Sequence, residues 1–283
     1  MADEIPALGT DENKEYRFRQ LHGKTLRFQV KTAHDCHVAF TSAAEETDPI
    51  VEVFIGGWEG AASAIRFKKD GSTDDLVKVD TPDIVTEAEY REFWIAVDHN
   101  EVRVGKAGEW EPLMQAPIPE PFEITHYGYS TGWGATGWWK FLNDRVLSTE
   151  DCLTYNFEPV YGDSITFSVA CSNDAHLALT SGAEETSPMY EIFIGGWENQ
   201  HSAIRLNKEG KGTGDDMAKV ETPDVVCCEE ERKFYVSFRN GQIKVGYMDT
   251  DPFLEWTDPE PWKITHVGYC TGWGATGKWK LEI

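Results

Sequence analysis

Two stretches of this chain are nearly the same. Ile124-Thr-His-Tyr-Gly-Tyr-Ser-Thr-Gly-Trp-Gly-Ala-Thr-Gly-Trp-Trp-Lys140 returns as Ile264-Thr-His-Val-Gly-Tyr-Cys-Thr-Gly-Trp-Gly-Ala-Thr-Gly-Lys-Trp-Lys280. The match extends backwards, with Asp35-Cys-His-Val-Ala-Phe-Thr-Ser-Ala-Ala-Glu-Glu-Thr47 set against Asp174-Ala-His-Leu-Ala-Leu-Thr-Ser-Gly-Ala-Glu-Glu-Thr186, and Glu52-Val-Phe-Ile-Gly-Gly-Trp58 against Glu191-Ile-Phe-Ile-Gly-Gly-Trp197. The fold must therefore be one that can be built twice, each time from about 125 residues, which is the size of an autonomous domain and too long for a solenoid repeat.

Period two dominates each copy, as in Leu26-Arg-Phe-Gln-Val30, Val51-Glu-Val-Phe-Ile55, Phe93-Trp-Ile-Ala-Val97 and Lys233-Phe-Tyr-Val-Ser-Phe238. Such alternation marks strands with one buried face. Asn240-Gly241 offers the two positive φ angles of a type I′ hairpin turn, and His99-Asn100 is a weaker counterpart in the first copy. Eight or nine short strands per copy are expected, with one brief helical stretch near Thr86-Glu-Ala-Glu-Tyr90. The fold class this implies is all-β, two similar tandem antiparallel β-sandwich (jelly-roll-like) domains. Residues 1–13 read as an acidic tail, 14–142 as the first repeat, 143–153 as a short linker and 154–283 as the second repeat. No Gly/Ser-rich or Pro-rich spacer lies at the join.

The duplication also sorts faces. Trp139 and Phe141 match Trp279 and Leu281, whereas Trp138 matches Lys278. A position that accepts Trp or Lys faces solvent, so Trp139 and Trp279 belong to the core and Trp138 does not. By the same alternation Val38 and Phe40 point inward, and His37, Ala39 and Thr41 share the opposite face.

The six cysteines occupy unmatched positions in the two copies, which is not how a structural disulfide framework survives duplication. They read as free thiols, and with an N-terminus lacking the pattern of a secretory leader they imply a cytoplasmic protein. A net charge of −23 repels phosphate backbones and anionic membrane surfaces, so neither nucleic acid nor membrane is an expected partner.

Gly132-Trp-Gly-Ala-Thr-Gly137 and its repeat satisfy the spacing of a dinucleotide fingerprint. They lack its context, because only six residues follow Gly277 and no helix or acidic ribose ligand can succeed it. A glycine-rich bend between the last two strands is the structural reading, with Trp133 and Trp273 set in it as stacking platforms or plugs. Trp58 and Trp197, each after a Gly pair, raise the same question. His37, His126, His176 and His266, the carboxylates Glu52, Glu191, Asp83 and Asp224, and the cations Arg66 and Arg205 recur in both copies. They could supply a base, a carboxylate that orients it and a cation for an anionic ligand, or merely backbone hydrogen bonds and a Glu52–Arg66 ion pair across strands. No spacing resembles a metal site or a nucleophile motif. The acidic pairs Glu45-Glu46, Asp74-Asp75, Glu184-Glu185 and Asp215-Asp216 read as solvated turns.

Tyr16-Arg-Phe18, Asp35-Cys-His-Val38, Phe54-Ile-Gly-Gly-Trp58, Thr81-Pro-Asp-Ile84, Phe93-Trp-Ile95 and His126-Tyr-Gly-Tyr-Ser-Thr-Gly-Trp-Gly-Ala-Thr-Gly137, each with a second-copy equivalent, resemble the farnesoic acid O-methyltransferase family of arthropods over nearly the whole chain. The resemblance implies methyl transfer from S-adenosylmethionine to farnesoic acid, giving methyl farnesoate in a juvenile-hormone-type pathway, whether as catalyst or as a non-catalytic component. The usual cofactor pocket for such a reaction sits in a parallel α/β sheet, a pattern this chain does not show. The ligand expected under that reading is a small isoprenoid carboxylic acid held by Arg66 or Arg205. The alternative is a lectin-like module with two sites for a glycan, or a surface for protein partners.

Overall fold

The computed structural model describes residues 5–185, 188–207 and 215–283. The chain forms two compact units, Ile5–Asn143 and the stretch from Asp144 to Ile283.

The first unit contains β1 (Leu8–Thr10), β2 (Arg17–Gln20), β3 (Thr25–Thr32), β4 (Cys36–Thr41), β5 (Ile50–Gly56), β6 (Ala62–Lys69), β7 (Ser72–Asp80), β8 (Arg91–Asp98), β9 (Glu101–Lys106), β10 (Met114–Pro117), β11 (His126–Ser130) and β12 (Gly137–Phe141). They pair antiparallel into two six-stranded sheets, ordered β1-β12-β3-β8-β9-β10 and β2-β11-β4-β5-β6-β7. The second unit repeats this with β13 (Val146–Thr149), β14 (Cys152–Pro159), β15 (Ser164–Cys171), β16 (Ala175–Thr180), β17 (Met189–Gly195), β18 (His201–Asn207), β19 (Asp215–Glu221), β20 (Arg232–Ser237), β21 (Gln242–Tyr247), β22 (Leu254–Thr257), β23 (His266–Thr271) and β24 (Gly277–Glu282). Its sheets run β13-β24-β15-β20-β21-β22 and β14-β23-β16-β17-β18-β19. Each unit is thus the expected β-sandwich, with more strands than alternation alone revealed. Among the described residues no helix is long and apolar enough to cross a membrane.

The core of each sandwich is made by the inward set of the alternation. In the first unit Phe28, Val38, Phe40, Val53, Phe93, Ile95, Tyr129, Trp139 and Phe141 form one buried cluster. Trp139 is fully buried because its indole N–H has a partner, the hydroxyl of Thr10 at 3.0 Å. Trp279 repeats the arrangement on Thr149 at 2.9 Å. Both threonines lie on the short first strand of their unit, so β1 and β13 satisfy the one polar atom of the largest core side chain. Trp138 is exposed, as its exchange with Lys278 requires.

The two hairpin turns adopt the left-handed angles their sequences offered, with φ of 50° and 61° at His99 and Asn100 and of 50° and 79° at Asn240 and Gly241. The stretch 86–90 forms bends and no helix. Asp74-Asp75 also departs from expectation, since it sits inside edge strand β7, and Asp215-Asp216 opens β19. The six cysteines are free thiols.

Candidate functional site

The outward face of the β2-β11-β4-β5-β6-β7 sheet carries a cleft of about 670 Å³ bounded by Asp35, His37, Phe54, Trp58, Arg66 and Trp133. The same face of the second unit carries one of about 490 Å³ bounded by Asp174, Phe193, Trp197, Arg205 and Trp273. Sequence positions matched by the duplication are therefore matched in space.

Strand pairing explains the floor. Phe54 lies opposite His37 in the β4–β5 register and opposite Ala64 in the β5–β6 register. The short Ala64 leaves the ring room to lie flat, and His37 meets its edge with centroids 4.5 Å apart. Phe193 and His176 repeat this at 4.3 Å. Arg66 is re-aimed by a register shift between Ile65 and itself in the β6–β7 pairing. Its guanidinium carbon lies 4.6 Å over the Phe54 ring, and its Nε donates to Asp75 at 2.7 Å. Arg205 does the same over Phe193 at 4.4 Å, donating to Asp216 at 2.6 Å. The cross-strand pair expected between Arg66 and Glu52 does not form, although the two residues face each other in register.

The rims are two turns that hold tryptophan in an unusual backbone state. At the β5–β6 hairpin Gly56 takes φ 64°, where a Cβ would meet Val85 at 2.7 Å, so only glycine fits. The chain then passes through Trp58 and Glu59 at φ 53° and 59°. At the crossing from β11 to β12, Ala135 N–H closes a turn on the Gly132 carbonyl at 3.0 Å, and its central residues Trp133 and Gly134 stand at φ 51° and 88°. Trp197, Glu198 and Trp273 repeat these angles at 53°, 58° and 54°. Left-handed backbone costs a bulky L-residue about 1–2 kcal/mol. Contacts beneath the rings cover part of each indole, yet Trp58, Trp133, Trp197 and Trp273 remain 40%, 66%, 39% and 73% exposed, a large apolar area left open beside the clefts.

Behind the rims lies a charged and hydrogen-bonded layer. Lys78 Nζ stands 3.4 Å over the Trp58 ring and Lys219 stands 3.3 Å over Trp197, which fixes each ring by cation–π attraction. His37 is fully buried with neither ring nitrogen in a hydrogen bond, and Nε2 stands 3.4 Å from Asp35 Oδ1. Burial pushes the His37 imidazole below its ordinary pKa against the pull of Asp35. Burial would raise the Asp35 carboxyl, but the nearby His37 imidazole and the His34 ring nitrogen at 2.7 Å hold it below the ordinary carboxylate value. In the second unit His176 Nε2 lies 3.2 Å from Asp174 Oδ1. A neutral imidazole with no solvent access is placed to orient a ligand or the carboxylate beside it.

Glu52 is fully buried next to the cleft and takes Lys14 Nζ at 2.5 Å, Tyr16 Oη at 2.7 Å and Lys68 Nζ at 2.6 Å. Burial alone would raise its pKa, yet Lys14, Lys68 and Tyr16 bring it down to about 2. Glu191 keeps Tyr155 at 3.4 Å and gains Asn207 at 2.5 Å. His126 and His266 stand outside the clefts, their Nδ1 atoms on the neighbouring Thr125 and Thr265 hydroxyls at 2.8 Å and 2.9 Å. Asp83 borders a separate depression near Tyr90 and Lys106. Sequence reasoning passed over Phe54, Asp35 and Lys78. The first two stood inside the repeated strings, Phe54 two places from Glu52 and hence on its face.

Among solved structures the chain is similar to a carbohydrate binding module, CBM66, from Bacillus subtilis, with 9% identity and a TM-score of 0.35 over 49% of this chain and 91% of that one. It is also similar to sheep galectin-11 in complex with glycerol, with 13% identity and a TM-score of 0.32 over 46% and 93% of the two chains. Domains LG4-5 of the mouse laminin alpha1 chain align over 94% of this chain and 82% of theirs, at 8% identity and a TM-score of 0.29. No curated protein matches the sequence. The family model for farnesoic acid O-methyl transferase matches twice, over residues 12–145 and 151–282. Those two segments span nearly all of both sandwiches, and the chain accordingly belongs to the farnesoic acid O-methyltransferase family, with one family unit in each half.

Proposed function

We propose that the protein is a tandem glycan-binding module, each unit holding sugar rings against Trp58 and Trp133, or Trp197 and Trp273. The observation that carries this is the quartet of exposed tryptophans kept in left-handed turns at matched rims. A strained indole with an open face at the edge of a cleft gains further buried area when a ligand covers that face. The C–H face of a pyranose suits such a surface, and its hydroxyls suit the polar groups that edge it, Arg66 with Asp75 and Asp35 with His37. Two sites on one chain favour a multivalent target, for which avidity can exceed single-site affinity by about 10²–10⁴.

A second reading follows from the family itself, in which the chain binds or methylates farnesoic acid. Carboxyl methylation requires two reactants held in line, and an isoprenoid tail requires a long apolar slot. Arg66 and Arg205, the cations the sequence offered for that carboxylate, are each paired with an aspartate. The clefts are short aromatic platforms with polar edges, which favours the glycan reading. A glycan array probed with the purified protein, beside a calorimetric titration with S-adenosylmethionine with and without farnesoic acid, separates the two. Array signal lost in a Trp133→Ala, Trp273→Ala double variant supports the glycan module. Saturable cofactor binding with a silent array would overturn it in favour of the enzyme.

A further inference from the structure

The aromatic frame is the same in both clefts, but the charges around the carboxylate beside it are not. Lys14 precedes Tyr16 by two places, as Leu153 precedes Tyr155. A Cβ built on Gly132 would meet Lys14, and one on Gly272 would meet Leu153, so the two side chains occupy one position in space. Lys68 pairs with Ile50 in register, as Asn207 pairs with Met189. Two lysines around Glu52 leave a surplus positive charge in the first unit. In the second, the partners of Glu191 among the described residues are a hydroxyl and an amide, which bring it no compensating charge. Lys14 also reaches two rings that line the cleft, its Nζ 5.2 Å from the Phe54 centroid and 5.9 Å from that of Trp133. Leu153, by contrast, is an exposed apolar side chain. Arg66 with Asp75, Asp35, Lys78 and Glu59 have equivalents in Arg205 with Asp216, Asp174, Lys219 and Glu198 and cancel in the comparison, whereas His34, on Asp35 in the first cleft, is Asn173 in the second and adds to the difference in the same sense when it is protonated.

We propose that the two clefts select glycans of different charge, the first taking a sugar that bears a carboxylate or sulfate and the second a neutral one. The inference rests on the glycan-binding reading and adds the ligand class of each site. Its physical basis is a local field that differs by two unit charges at a partly desolvated site, where a charged ligand feels it with little screening. The protein would then bridge acidic and neutral chains and would not simply double its hold on one.

The test uses the full chain with one cleft disabled at a time. Trp273→Ala leaves the first cleft and Trp133→Ala the second. Each is titrated, by quenching of tryptophan fluorescence, with glucose and galactose tetrasaccharides and with their C6-oxidised uronate forms. The first cleft should prefer the uronates by roughly tenfold, less in high salt, and the second should prefer the neutral forms. Lys14→Leu with Lys68→Asn should abolish the preference of the first cleft, and Leu153→Lys with Asn207→Lys should confer it on the second. The gain in the second cleft cannot arise from misfolding. Equal preference in both clefts, or no transfer with the lysines, overturns the charge division while leaving glycan binding intact. Silence of the wild-type chain and both variants towards all four sugars overturns the glycan reading and this inference together.

Discussion

Trp133 lies against His37 with ring centroids 5.2 Å apart and planes 24° from parallel. The exposed platform of the first cleft therefore rests on a buried imidazole. Burial pushes the His37 imidazole below its ordinary pKa.

The sign of the resulting pH dependence follows from proton counting. The unfolded chain protonates this histidine near pH 6.5 and the folded one at lower pH, so the unfolded state holds more protons between those values. Stability of the first unit should fall as pH drops below about 6.5. An NMR titration should place the His37 ring below that value, and His37→Gln should flatten this part of the stability profile. A normal His37 titration would remove the effect.

Glu52 gives a second, lower window. Its pKa is brought down to about 2 in the fold, so its stabilisation is present above the unfolded value and is lost as pH falls through the folded one. The shift corresponds to roughly 3 kcal/mol. Chemical denaturation across pH 5 to 2, with Lys14→Leu and Lys68→Asn as controls, should show the loss shrinking when the lysines are removed.

At Trp133 the backbone strain can be separated from the side chain. Trp133→Gly should be more stable than Trp133→Ala by about 1 kcal/mol, because only glycine occupies left-handed backbone without cost. Both variants should lose ligand equally. Equal stability of the two, measured by urea unfolding, would mean that the turn relaxes when the indole is gone.

Tyr190 donates to the buried Asp258 at 2.8 Å, where the first unit has Val51 and Ile118. One half has thus replaced an apolar core contact by a polar pair. Tyr190→Phe alone should cost about 1–3 kcal/mol by leaving Asp258 Oδ2 without its donor, while Oδ1 keeps the Glu260 N–H at 2.9 Å. The double change Tyr190→Phe with Asp258→Ile, which keeps the ring stacked on Trp262, should recover part of that loss, as apolar groups of similar volume can stand in for a satisfied pair. Thermal unfolding of the three chains decides it.

Much of the sandwich was legible because one face of nearly every strand is buried, and burial writes itself as period two. The separation of Trp139 from Trp138 came from the exchange with Lys278, a comparison the chain carries within itself. What escaped was set by geometry that alternation does not encode. Strands β1 and β13 are three and four residues long, too short to show a period. The pairing of Arg66 with Asp75 depends on a register shift, which turned the expected Glu52–Arg66 contact into two separate networks. Trp58, Trp133, His37 and Arg66 share a cleft because two turns and two strands converge, whereas His126, on the same sheet face as His37, lies outside it. Lys14 was hidden because its partner position holds a leucine.

Strand β7 ends its sheet with Asp74 and Asp75 exposed on the outer ladder, and β19 ends the equivalent sheet with Asp216 exposed. An open edge of this kind is a template on which another molecule can lay a strand. Here an identical edge arriving from a second copy would bring carboxylate against carboxylate at close range. Part of the chain's −23 charge thus serves as a fence along one open border of each unit, at β7 and at β19.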